Sequence, residues 1–129
     1  MSLVRLDYVV IVPVPTLDRG HRRLAVKRRR QATDLLLKAF TRWFGGATAL
    51  PSLGTWEMLD GSGIAIDRNQ TVVFSMTTRV VWRKQRARVV RLASQVGDLL
   101  DQEAMAVVAF AKADGLLVFG APKSPRSKR

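Results

Sequence analysis

The sequence predicts an α+β domain of the ferredoxin-like type, in which an antiparallel sheet carries two helices on one face. Two long stretches repeat apolar residues at helical spacing, several short runs alternate apolar and polar residues, and the elements follow the order β-α-β-β-α-β. At 129 residues the chain has the length of one domain. We predict a single α+β domain over residues 1–122 and a disordered basic tail over 123–129, which has no apolar side chain that could dock.

The first half of the chain predicts one strand and one helix. A strand is expected over residues 4–15, because residues 9–12 are apolar on both faces and two prolines follow. A helix is expected over residues 22–44, ending at Gly45-Gly46, which suits a left-handed cap. Its inward face consists of residues spaced by three, four and seven, namely Ala25, Ala32, Leu36, Phe40 and Trp43.

The second half predicts strands, a helix and a final hairpin. Strands are expected over residues 55–59, 64–66 and 71–82, the last of which alternates cleanly. A helix over residues 84–101 turns Val89, Ala93, Val96 and Leu100 inward. Strands over residues 105–111 and 116–119 flank Asp114-Gly115, a strong hairpin signal, and form a C-terminal hairpin extension.

Several short patterns resemble one bacterial family. They are residues 40–48, where the family ends a helix at a Gly-Thr step, then Gly54-Thr55-Trp56, the turn with Gly61 and Gly63, and Gln102-Glu103, which match the family's Gln-Glu before its last strand. Together they resemble small bacterial proteins known only as a domain of unknown function, over residues 6–119. That family has a Glu after its Gly-x-Trp strand, where this chain has Ile66-Asp67-Arg68. The resemblance supports the fold and implies no activity, substrate or cofactor.

The composition is strongly basic and lacks cysteine. Twenty-two Lys and Arg against ten Asp and Glu give a formal charge of +12, which favours nucleic acid or another polyanion as partner. The alternative is an arginine-rich composition that binds nothing. The absence of cysteine excludes disulfides, thiolate metal sites and a Cys nucleophile. We see no signal peptide and no run long enough to cross a membrane, so we expect a cytoplasmic protein without a membrane partner.

Twelve cations form two acid-free clusters at the starts of the two predicted helices, where the helix dipole disfavours positive charge. Such a position can hold phosphate groups. The sequence therefore suggests a non-enzymatic nucleic-acid-associated module, for RNA or DNA, such as a subunit of a ribonucleoprotein, mobile-element or phage-type assembly. The twelve residues are Arg22, Arg23, Lys27, Arg28, Arg29, Arg30, Arg79, Arg83, Lys84, Arg86, Arg88 and Arg91.

A second hypothesis is a small-ligand enzyme or sensor that acts as a homodimer through the sheet face without helices. Val9, Ile11 and Val73 are expected on that face, and an open apolar face is typical of an interface or a pocket. The candidate polar groups are His21, Asp67 and Glu103. His21 is the only histidine and the spacing of the carboxylates requires no metal, so we predict neither a metal site nor a cofactor.

Overall fold

Both helices pack against one face of a four-stranded antiparallel sheet in the computed structural model, so the predicted α+β, ferredoxin-like class is confirmed. The structure describes residues 3–57, 61–111 and 118–120, and gives only the backbone for residues 3–5, 54, 56, 57, 65, 67, 68 and 118–120. The elements are β1 (Leu3–Arg5), β2 (Tyr8–Val14), α1 (Val26–Phe44), β3 (Thr48–Glu57), β4 (Ile64–Thr77), α2 (Arg79–Leu99), β5 (Val108–Ala111) and β6 (Val118–Gly120).

The order of the main sheet is β3-β4-β2-β5, and the core lies between this sheet and the helices. Val12 lies opposite Val73 in the β2–β4 ladder, and both are fully buried. Alternation along β2 places Val10 and Val14 on the same side. The helices contribute their apolar stripes to this cluster, which includes Ala32, Leu36, Phe40, Trp82, Val89, Val96 and Leu100.

The predicted first strand is two strands. It breaks at Leu6-Asp7, where Asp7 Oδ1 accepts a hydrogen bond from Arg79 N at 3.2 Å. β1 then pairs antiparallel with β6 in a separate two-stranded sheet. The prediction that the last two strands pair with each other as a C-terminal hairpin is therefore wrong, because β6 pairs with β1 while β5 pairs with β2. The expected turn at residues 112–115 and the tail at 123–129 lie outside the described residues.

α2 begins at Arg79, five residues earlier than predicted. Thr78 ends the extended stretch and caps the helix, since its side chain accepts a hydrogen bond from Val81 N. Trp82 is thus a helical residue, and it joins Val89 and Val96 on one buried stripe at spacings of seven. The alternation of residues 72–82 is misleading, because Trp82 also fits the period of the preceding strand. α1 begins later than predicted, at Val26, because Ala25 is extended.

β3 and β4 form a hairpin that is longer than the sheet. β3 begins at Thr48, and β4 is one strand in place of the two predicted over 64–66 and 71–82. Their ladder runs from Thr48 opposite Phe74 to Glu57 opposite Ile64, with a register shift between Ser52 and Gly54. β2 pairs only with residues 71–77 of β4. Residues 52–57 and 64–70 therefore project beyond the third strand as a two-stranded ribbon, which we call the β3–β4 arm.

Candidate functional site

The twelve cations of the two predicted clusters lie on the outer surface of the helices and the loop before α1. All are exposed except Arg29, which is half-buried. Arg22 pairs with Asp18 at 3.3 Å, and Arg79 lies 5.7 Å from the centre of the Tyr8 ring. Because water and salt screen the charges at the ends of these long exposed side chains, their repulsion by the positive end of the helix dipole costs little free energy. The helices are antiparallel and begin at opposite ends of the sheet, so their starts do not form one continuous surface.

The loop before α1 is shaped by Asp18. Its Oδ1 accepts hydrogen bonds from Gly20 N at 2.8 Å and from Arg22 N at 2.9 Å. The hydrogen bond from Arg22 N is the largest cause that holds the pKa of the Asp18 carboxyl below its ordinary value. His21 adopts a positive φ of 62° in this turn and its side chain is exposed. Asp18 is therefore a turn-forming residue, whose contacts are with the loop backbone and Arg22.

A set of long-range contacts joins this loop to the end of α2. Arg19 N donates to Asp101 O at 2.8 Å, and Arg19 Nε lies 2.9 Å from Asp101 Oδ1. Gln102 Nε2 donates to Leu17 O at 2.7 Å and to Leu100 O at 2.9 Å. Sequence reasoning missed Arg19 and Asp101 and used Gln102 only as part of a family pattern, because no local pattern indicates a contact between residues more than 80 positions apart.

These contacts fix one wall of a surface groove beside α2, with a volume of about 220 Å³. The C-terminal half of α2 forms one wall and residues 102–107 form the other; we call it the α2 groove. Its apolar lining includes Val90, Ala93, Met105 and Val107, and its polar lining consists of Ser94, Asp98, Gln102 and Glu103. Apolar walls with a few polar groups are the usual lining of a small-molecule site, but a volume of about 220 Å³ is below the roughly 300–1,000 Å³ of typical ligand pockets. The groove therefore suits only a small molecule or part of a larger one.

The three predicted polar residues have different positions. Glu103 lines the α2 groove, His21 lies in the loop before α1, and Asp67 lies in the β3–β4 arm, where its backbone pairs with Gly54. Within the described part of the chain, no three His, Asp or Glu side chains converge as metal ligands. Of the two residues whose side chains the structure describes, His21 and Glu103, only Glu103 lines a cavity. The side chain of Asp67 lies outside the described part of the structure.

The second candidate surface is the sheet face opposite the helices, which we call the open face. Direct cross-strand pairs define it: Val9 lies between Met76 and Phe110, and Ile11 lies between Phe74 and Val108. Leu50 pairs with Val72 at the neighbouring positions. Leu50, Val108 and Phe110 are 48%, 44% and 45% exposed. The predicted placement of Val73 is wrong, because Val73 lies opposite Val12 and is fully buried under the helices.

The open face carries no charge among its described side chains. In the four-stranded part it consists of Val9, Ile11, Pro13, Thr48, Leu50, Ser52, Gln70, Val72, Phe74, Met76, Val108 and Phe110. The helices on the opposite side carry most of the exposed cations. Charge and apolar surface are thus segregated to the two sides of the domain.

One close contact shapes the floor of the α2 groove. A Cβ added to Gly97 would lie 2.8 Å from Met105 Cγ, so Gly97→Ala is expected to lower the free energy of unfolding by about 1–3 kcal/mol through overpacking. In a Met105→Ala background the same change should instead stabilise the helix by about 0.5–1 kcal/mol. Urea unfolding of the four proteins measures this coupling. Equal effects of Gly97→Ala in both backgrounds would contradict the contact.

The fold is shared with solved structures of low sequence identity. A phage SAM lyase in complex with S-methyl-5'-thioadenosine is similar at a TM-score of 0.59 and 10% identity, over 92% of each chain. CutA from Xylella fastidiosa is similar at a TM-score of 0.51 and 12% identity, over 84% of this chain and 85% of that one. The divalent cation tolerance protein CutA1 from Thermus thermophilus is similar at a TM-score of 0.48 and 17% identity, over 83% of this chain and 84% of that one.

At these identities the likeness concerns the fold. No protein-family model matches the sequence, and no curated protein sequence matches it. The resemblance to a domain of unknown function therefore stays a prediction.

The prediction of a nucleic-acid partner is wrong. The similar solved structures are a SAM lyase and CutA proteins, and neither kind of protein points to nucleic acid. The interpretation as a non-enzymatic nucleic-acid-associated module within a ribonucleoprotein or phage-type assembly falls with it. Neither helix in the described part of the chain has the length and apolarity needed to cross a membrane.

Proposed function

We propose that this protein binds a small ligand, as an enzyme or a sensor, and works as an assembly of copies packed through the open face. One observation carries the proposal. A chain of charge +12 has a sheet face with a broad apolar surface and no charge among its described side chains. Apolar surface of this kind marks interaction sites on soluble proteins.

Charge favours a second copy of the chain as the occupant of this face. Two molecules of charge +12 repel each other most strongly where their cations are closest. Contact through the open faces keeps the helices, with their exposed Arg and Lys side chains, on the outside of the assembly. The segregation of charge is therefore the arrangement that lets like-charged copies associate.

The α2 groove supplies the ligand site of the proposal. Its carboxylates, Asp98 and Glu103, give it negative charge on an otherwise basic protein, and its walls are apolar. The similar fold of a lyase with a bound nucleoside thioether supports a small organic ligand. Turnover of that ligand would make the protein an enzyme, and binding alone would make it a sensor. A cytoplasmic location remains part of the proposal.

Two measurements on the wild-type protein test the proposal. Light scattering after size exclusion should give a mass of at least two chains at micromolar concentration. S-methyl-5'-thioadenosine is the probe for the groove, and we expect it to raise the melting temperature of wild type but not of a Glu103→Gln, Asp98→Asn variant. A single-chain mass at high micromolar concentration would overturn the assembly. An equal shift in both proteins would place the ligand elsewhere.

A further inference from the structure

The α2 groove contains two carboxylates that have no cationic partner. Asp98 lies on α2 and Glu103 lies on the opposite wall. Neither side chain forms an ion pair or a hydrogen bond with a described residue, whereas Asp18 and Asp101 are each paired with an arginine. On a chain with 22 Lys and Arg, the groove is therefore a place where negative charge is left unpaired.

Gln102 adds a hydrogen-bond acceptor to the same groove, because its amide has a fixed orientation. Its Nε2 donates to Leu17 O at 2.7 Å and to Leu100 O at 2.9 Å, so both N–H groups of the amide are used. A flipped amide would set its oxygen against these two carbonyl oxygens. Only Oε1 is left for a ligand, and this atom accepts hydrogen bonds but cannot donate them.

The end of α2 contributes negative potential to the groove. The groove lies along the C-terminal half of α2, where the helix dipole favours cations. The last turn of α2 contains no Lys or Arg, and neither does the lining of the groove among the described residues. Arg19 contacts the same loop, but its guanidinium is paired with Asp101 at 2.9 Å and donates to Gln102 O. The described lining thus offers no positive charge to balance its carboxylates.

The floor of the groove is apolar and closely packed. Ala93 is 3% exposed and Gly97 is buried, while Met105 and Val107 pack against the main core. The space above this floor has a volume of about 220 Å³, which is small for a ligand pocket. The apolar part of a ligand that fits here must therefore be short.

We propose that the α2 groove binds a small protonated amine, whose ammonium group lies between Asp98 and Glu103 and whose short apolar body lies on the floor. This inference rests on the proposed ligand site and names its chemical class. An ammonium group has three N–H donors and no acceptor, so it matches two carboxylates and the Oε1 atom of Gln102. Hydrogen bonds between charged groups are about twice as strong as neutral ones. An anion of the same size would meet two carboxylates without a counter-charge and would be rejected.

Three probes with the same apolar body isolate the head group. n-Pentylammonium, n-pentanol and pentanoate have a positive, a neutral and a negative head. In a ¹⁵N titration of the wild-type protein, we expect n-pentylammonium to shift the amide signals of Gly97, Gln102 and Met105, with a dissociation constant on the order of 1 mM for a ligand of this size. It should bind about tenfold more tightly than n-pentanol, and pentanoate should leave these signals unchanged.

Variants of similar shape assign this preference to the carboxylates. Asp98→Asn and Glu103→Gln each remove one charge from the groove, and we expect each to raise the dissociation constant of n-pentylammonium about tenfold, with little change for n-pentanol. Asp34→Asn is the matched control, because Asp34 is an exposed carboxylate on α1 and lies outside the groove lining. It should leave both affinities unchanged, and circular dichroism should show that all three variants are folded.

The outcomes separate the ligand class from the ligand site. A preference for n-pentylammonium that Asp98→Asn and Glu103→Gln remove and Asp34→Asn retains supports the inference. Absent or equal binding of the three probes, or a preference that survives both groove variants, overturns it. If S-methyl-5'-thioadenosine then still shifts the amide signals of the groove, the proposed function stands. If neither this compound nor n-pentylammonium shifts them, the proposed ligand site is overturned as well.

Discussion

The Ile11→Glu substitution is expected to convert the assembly into folded monomers. Ile11 occupies the centre of the open face, between Phe74 on β4 and Val108 on β5. Loss of apolar burial costs about 1.5–3 kcal/mol, and desolvation of the carboxylate adds to it. We expect the dissociation constant of the assembly to rise about a hundredfold, which corresponds to roughly 2.7 kcal/mol. Light scattering should report the mass of one chain.

Val80→Glu is the control for Ile11→Glu. It introduces the same charge on α2, away from the open face, at a residue that is 76% exposed. This variant should keep the mass of wild type, and a melting curve should show that both variants are folded. If Ile11→Glu also keeps the mass of wild type, the open face is not the interface.

The Phe40→Ala substitution is expected to lower the free energy of unfolding by about 3–5 kcal/mol. Phe40 is fully buried on α1. Its ring packs edge to face against the Phe44 ring, with 5.4 Å between the ring centroids, and its centroid lies 6.5 Å from that of the Trp43 ring. Removal of the ring leaves a cavity in the only packed layer between the helices and the sheet in the described part of the chain. Urea unfolding monitored by circular dichroism measures the loss.

Leu35→Ala is the control on the same helix. Leu35 is 43% exposed, so its truncation should cost much less than that of Phe40, on the order of 1 kcal/mol or below. Comparable losses for the two variants would mean that α1 packs on a different face from the one described.

The elements with a single clear period could be predicted from the sequence. Ala32, Leu36 and Phe40 repeat at helical spacing, and all three are fully buried in α1. The order of strands and helices then restricts the topology to the split arrangement that the sheet adopts. The sequence could not decide the boundary between a strand and a helix where their two periods overlap. Trp82 is the example, because it fits both a strand that continues to residue 82 and a helix that begins at residue 79.

Face assignments across strands were harder to predict than the strands themselves. Val73 belongs to the core because it lies opposite Val12, and a shift of one residue in register would have placed it on the open face. The α2 groove was also out of reach of the sequence, because it depends on contacts of Arg19 and Gln102 with residues 82–85 positions away. Charge suggested a partner but not its chemistry, because exposed cations are compatible with many surfaces.

The salt dependence of self-association tests the open face most directly. Copies of charge +12 repel each other, and the screening length falls from about 30 Å at 0.01 M salt to about 8 Å at 0.15 M. Self-association through an uncharged apolar face should therefore become stronger as the salt concentration rises. Sedimentation equilibrium of wild type over this range should show a falling dissociation constant. A dissociation constant that rises with salt, or a single-chain mass throughout, would contradict an apolar interface on the open face.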